Sequence, residues 1–177
     1  MAGQGGRESR IGSWWRVRRG PWRTGCAAAL LALALGASVP SAARAQEGLP
    51  DDAVLEMMEG VRDLLPFAIL RDGSHPAPET EAERAMPLVP LKDGRKIILT
   101  GFNSGIAEWC GLDWEAHYLG FMQAERARKQ WSDKQLAYIG ILHGSAMQTY
   151  IDAMAERGRA CSDEERAQMR GYLEMRQ

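Results

Sequence analysis

The chain has little of what usually announces chemistry. Its 177 residues hold three histidines, three cysteines and three phenylalanines. There is no C-x-x-C pair, no internal repeat, and no G-x-S-x-G context around Ser104 or Ser145. Residues 100–105, Thr-Gly-Phe-Asn-Ser-Gly, lack the lysine and spacing of a P-loop and read as a Gly-rich linker. These absences leave no reaction and no cofactor to name, and the reading leans to a non-enzymatic protein. No apolar run reaches the roughly 20 residues of a spanning helix.

What is present begins with a three-zone leader. Residues 1–24 carry Arg7, Arg10, Arg16, Arg18, Arg19 and Arg23 against one acid, Glu8. Residues 26–39 are almost wholly Ala and Leu, and Pro40 and Ser41 lead into Ala43-Arg44-Ala45. The basic, apolar, A-x-A order is that of a secretory signal peptide, so residues 1–45 are expected to be removed after Ala45. Cys26 precedes the apolar stretch, which disfavours a lipoprotein, and Gly20-Pro21-Trp22 is a poor continuation of Arg18-Arg19 for the twin-arginine route. The expected location is periplasmic or secreted.

Residues 46–177 then form one domain of ordinary size. The leader takes seven of the 22 basic residues and one of the 23 acids, leaving 15 against 22, a net charge of −7. That balance argues against nucleic acid or an anionic membrane as partner. After cleavage no stable membrane span remains, and the partner expected is an unidentified protein or small molecule. Cys110 and Cys161 are the two cysteines left, and an even pair in an oxidising compartment reads as a disulfide. Closing a loop of about 50 residues is worth roughly 4 kcal/mol if unstrained.

The spacing predicts an α+β fold, mainly α: an antiparallel bundle of three to four helices with a small β-hairpin or three-stranded sheet. A first helix spans residues 51–65 and ends at Pro66. Residues 88–99 read as a hairpin turning at Asp93-Gly94, with residues 67–70 as a third strand. The β segment thus belongs to residues 46–105 and the helical part to residues 106–177. There, helices are expected over residues 106–129, over residues 133–157 behind a Ser132 capping box with Gly158 as C-cap, and from a capping box at Ser162 onward. Gly140 and Gly144 flatten one side of the second of these. The disulfide would join the starts of the first and third.

Candidate sites are few. Asp113 and His117, four apart on one helix face, have the geometry of a two-ligand half-site that His143 or Glu108 would complete for Zn²⁺ or Cu²⁺. Trp109, Trp114 and Tyr118 form an aromatic cluster that would rim a pocket or partner surface. Cys110, the helices between the cysteines, Cys161 and the final charged helix together resemble the layout of small acid-stress periplasmic chaperones. That resemblance covers the C-terminal part alone and implies an envelope stress chaperone. The other expectations are a non-enzymatic binding or interaction protein and a metal-binding or metal-dependent enzyme.

Overall fold

A computed structural model describes residues 48–175, so the leader and its expected cleavage site lie outside the described residues. Helix α1 (Asp51–Gly60) opens on Asp51 and Asp52, acids placed where the helix dipole and the orphan N–H groups favour negative charge. It buries Val54 and Met58 and passes into a 3-10 turn, Arg62–Phe67, that contains Pro66. A short α2 (Glu81–Arg84) starts at a Thr80 capping box. Then follow α3 (Leu91–Trp109), α4 (Trp114–Ala127), α5 (Asp133–Glu156) and α6 (Asp163–Glu174). Capping boxes at Ser132 and Ser162 open α5 and α6, and Gly158 beyond α5 takes a φ of 60°.

No strand occurs among the described residues, so the expected hairpin and sheet are absent. Residues 91–99 are the first half of α3, which runs on through the supposed linker at residues 100–105. Pro90 stands at the N-cap, where its missing N–H costs nothing. Asp93 is a first-turn acid rather than a turn residue, and it accepts from Arg128. The buried positions Gly94, Ile97, Ile98, Gly101, Ser104 and Gly105 recur at steps of three and four, a helical stripe. Three of the six are glycine and one is serine, so hydrophobicity alone does not reveal it. Residues 67–70 are not a strand either: Phe67 ends the 3-10 turn, and Phe67 and Ile69 are exposed. The helix expected over residues 106–129 is split. Cys110 is the C-cap of α3, Gly111 turns the chain with a φ of 69°, and Asp113 caps α4 by accepting from the Ala116 N–H.

The most extensive packing joins α3 to α5. A Cβ on Gly101 would collide with the His143 carbonyl and stand 2.8 Å from the Ala146 Cβ; one on Gly105 would meet the Met147 carbonyl at 2.8 Å. The matching order of these contacts makes α3 and α5 parallel. Helix α4 returns between them, since Ser104 meets His117 while Lys96 meets Glu125. Of the two glycines expected to flatten α5, Gly140 faces the Tyr118 hydroxyl and Gly144 has open space. The core gathers Val54, Met58, Leu65, Val89, Ile97, Ile98, Met122, Ile139 and Leu142 around Tyr138, whose hydroxyl donates to the Met58 carbonyl at 2.6 Å. Cys110 and Cys161 lie at disulfide distance with Cα atoms 5.1 Å apart, joining the end of α3 to the segment before α6.

Two glycine substitutions should have opposite effects. Gly101→Ala should lower unfolding stability by about 1–3 kcal/mol, because backbone rather than a flexible side chain must give way. Gly120→Ala, in an α4 position with nothing within 4 Å, should raise it by about 0.5–1 kcal/mol. Urea titration of both variants checks this, and equal effects would contradict the close approach of α3 and α5.

Candidate functional site

Three buried polar nodes stand out. The first joins α3, α4 and α5: the Ser104 hydroxyl lies 2.9 Å from His117 Nδ1 and 3.1 Å from His143 Nε2. Ser104 and His143 are 0 % and 1 % exposed. His143 is flanked by the rings of Tyr118 (4.9 Å) and Phe121 (5.5 Å), and its Nδ1 has no hydrogen-bond partner among the described residues. Tyr172 of α6 meets His117 edge-on at 5.8 Å, and its hydroxyl accepts from Asn103 at 2.9 Å.

The tautomers follow from satisfaction of the buried atoms. If His143 donates from Nε2 to Ser104, its bare Nδ1 is an unpaired acceptor. The other tautomer would bury an unpaired N–H, and orphaned N–H groups are the rarer kind of exception. So His143 donates to Ser104, and Ser104 donates to His117 Nδ1. Burial, and then the neighbouring His117, push the His143 pKa down to about 4, so it is neutral at pH 7. A serine and a histidine at this distance resemble a nucleophile and its base. Here the hydroxyl is sealed from solvent and committed to both rings. Its chemistry is that of a junction.

The second node is Glu125, 2 % exposed. It accepts from Lys96 at 2.7 Å, Trp131 Nε1 at 2.8 Å and Arg128 at 3.0 Å, tying α3, α4 and the α4–α5 connection. Burial raises its pKa, but the Lys96 and Trp131 hydrogen bonds and the Lys96 and Arg128 charges together outweigh burial and hold the carboxyl below its ordinary value. The third is Arg62, 4 % exposed, which donates to both Glu79 oxygens, to Glu59, and to the carbonyls of Glu83 and Arg84. The Glu79 hydrogen bond leads in raising its pKa. It pins residues 79–84 onto the 3-10 turn.

Of the four expected cluster residues, His117 and His143 meet through Ser104, and the other two go elsewhere. Asp113 is spent as the α4 cap. Glu108 is at an exposed position, its pKa raised by partial burial and then by the charge of Glu115. Among the described residues no group of three or more His, Cys, Asp or Glu is placed to hold a metal ion. The aromatic residues part as well. Trp109 packs edge-on against Tyr150, donates to the Arg159 carbonyl at 3.0 Å and lies under the Arg159 guanidinium. Trp114 meets Tyr118 at 6.5 Å. Glu125 and Arg62 escaped the sequence reading although the periodicity reaches both. Tyr118, Phe121, Met122 and Glu125 share one stripe of α4, and Val54, Met58, Val61 and Arg62 share another.

The surface offers a shallow groove of about 150 Å³ lined by Leu55, Met58, Arg62, Met86, Pro87 and Leu88. Comparison with family models, with curated proteins and with solved structures finds no match. No described helix is long and apolar enough to cross a membrane.

Ser104→Ala should lower stability by about 1–3 kcal/mol, since it leaves the buried His143 with two unpaired nitrogens. Urea unfolding at pH 7 measures this; an unchanged midpoint would show that the hydroxyl is not the junction.

Proposed function

We propose that this chain is an exported, periplasmic, non-enzymatic binding protein that docks a partner protein through the groove between α1 and residues 84–88. The observation that carries the reading is the contrast between the buried polar nodes and this surface. The most reactive pairing, Ser104 with His143, is sealed inside, while Leu55 (45 % exposed) and Met86 (65 % exposed) present apolar surface beside the groove's charged residues Glu59 and Arg84. Arg62 lies among the lining residues and ties the groove's wall, through Glu79 and the Arg84 carbonyl, to the 3-10 turn that follows α1. A volume of about 150 Å³ takes one apolar side chain. Small-molecule sites usually measure about 300–1,000 Å³, so a protein partner is the better fit.

A photo-crosslinking residue at Met86 should give one discrete adduct in intact cells, and the same residue at Glu164 on α6 should not. Leu55→Asp should cut that adduct several-fold. Absence of adducts at Met86, or the same adducts at both positions, would reject the groove. Separately, the intact mass of natively expressed protein should correspond to a chain starting at Gln46; retention of residues 1–45 would reject export.

A further inference from the structure

We propose that the partner segment docked between α1 and residues 84–88 is a cationic amphipathic helix, which rests on the docking reading above and names the chemistry of the partner. The first argument is charge. The lining holds two cations, Arg62 and Arg84, and both are committed. Arg62 directs its guanidinium to Glu79, Glu59 and the carbonyls of Glu83 and Arg84. Arg84 pairs with Glu79 at 3.3 Å and with Asp63 at 3.5 Å. Behind them Lys134, at the start of α5, pairs with Glu83 at 3.0 Å. Arg95 of α3, facing the start of α1, is bound to Asp51 and the Leu49 carbonyl. Carboxylates are left over. Asp52 and Glu56 are exposed and have no ion-pair partner among the described residues. Glu59 meets Arg62 through one oxygen and has a side chain 65 % exposed. Leu55 lies three residues after Asp52 and four before Glu59, so the three share one face of α1, with Glu56 at its edge. An apolar side chain entering beside Leu55 therefore comes down among carboxylates.

The second argument is shape. The groove, at about 150 Å³, admits one apolar side chain. Its wall α1 has ten residues, about 15 Å of helix. A facing helix of roughly three turns spans that wall, with one apolar anchor at its centre and basic residues three and four positions away. No strand, and so no open sheet edge, is present among the described residues, and an extended segment would find no ladder for its backbone. A helix satisfies its own N–H and C=O groups and brings only side chains to the surface.

Charge also separates this occupant from a second copy of the chain. Residues 46–177 carry a net charge of −7, so another copy brings like charge to this face, whereas a cationic segment is steered towards it.

Two arms test the proposal on the chain purified from its native host with the disulfide intact. In the first, fluorescence anisotropy follows a labelled peptide of about 15 residues with one central Leu, Lys three and four positions to either side, and Ala elsewhere. Asp52→Asn/Glu56→Lys should weaken its binding about tenfold, an effect of charges at an exposed rim. Asp152→Asn/Glu156→Lys makes the same change of charge at exposed positions towards the far end of α5 and should leave binding unchanged. Raising the salt from about 0.1 to about 1 M, which shortens the screening length from about 10 to about 3 Å, should weaken it as well. A peptide with Glu in place of Lys should not bind. Equal weakening by the two variants would mean unspecific attraction to an acidic chain. That result, equal binding of the two peptides, or no binding of the lysine peptide would each overturn the proposal.

The second arm separates the partner's chemistry from the groove itself. In intact cells with the crosslinker at Met86, Asp52→Asn/Glu56→Lys should cut the discrete adduct several-fold, and Asp152→Asn/Glu156→Lys should not. An undiminished adduct would keep the groove and overturn the cationic partner. An adduct at twice the chain's mass would identify a second copy and overturn it too. Absence of any adduct, even without these substitutions, would reject the groove and the proposal with it.

Discussion

At Gly101 and Gly105 the backbone of α3 lies against the carbonyls of His143 and Met147 on α5, with no room for even a methyl group at Gly101. The rest of the structure depends on that approach. It brings Ile97 and Ile98 into the same core as Ile139 and Leu142, and it sets the height at which Ser104 can reach His143. It also runs the two helices in parallel, so that their C-terminal ends coincide. That coincidence is why Cys110, at the end of α3, can meet Cys161, which follows α5. The disulfide fastens an arrangement that the glycines permit.

Around this axis the polar nodes work as positional constraints rather than as reservoirs of stability. A buried ion pair such as Arg62 with Glu79 gives back much of its attraction as desolvation cost, but losing one partner strands the other. The same holds for Glu125. Each node ties a segment with a poor apolar surface of its own: Arg62 holds residues 79–84, Glu125 holds the α4–α5 connection, and Ser104 holds α4 at the axis. Helix α6 is the least embedded of the long helices, with Met169 its one buried residue. The Cys161 bridge and the Tyr172 contacts secure it.

Much of this was legible in the sequence where local rules decide. The capping boxes at Ser132 and Ser162, the positive φ at Gly158 and the pairing of the cysteines all follow from residue type and position. The hairpin reading failed because Asp93-Gly94 between two short Leu- and Ile-containing runs is a strong turn signal when glycine is taken as a breaker. In α3 glycine marks the face of closest packing, and a stripe of Gly94, Gly101, Ser104 and Gly105 has no hydrophobicity to reveal its period. That one error turned half of α3 into a sheet, hid Ser104 in a linker and moved Cys110 to the wrong end of a helix. For the candidate site, His117 and His143 were found but their link was not, since it needs a third helix that the sequence reading had not drawn. Glu125 and Arg62 were missed because charged residues on an apolar stripe look like its boundary, and only tertiary partners make them interior.

The proposed groove on α1 and residues 84–88 leans on the same axis through Tyr138 of α5, which lines it and donates to the Met58 carbonyl. Hydrogen exchange at neutral pH tests the axis most directly. Amides of residues 94–107 and 138–147 should be the slowest in the molecule and should exchange with one common free energy, that of global unfolding. Rapid exchange across residues 94–105, at the rate of the loop at residues 70–78, would mean that α3 is not a continuous helix and that the packing described here is wrong.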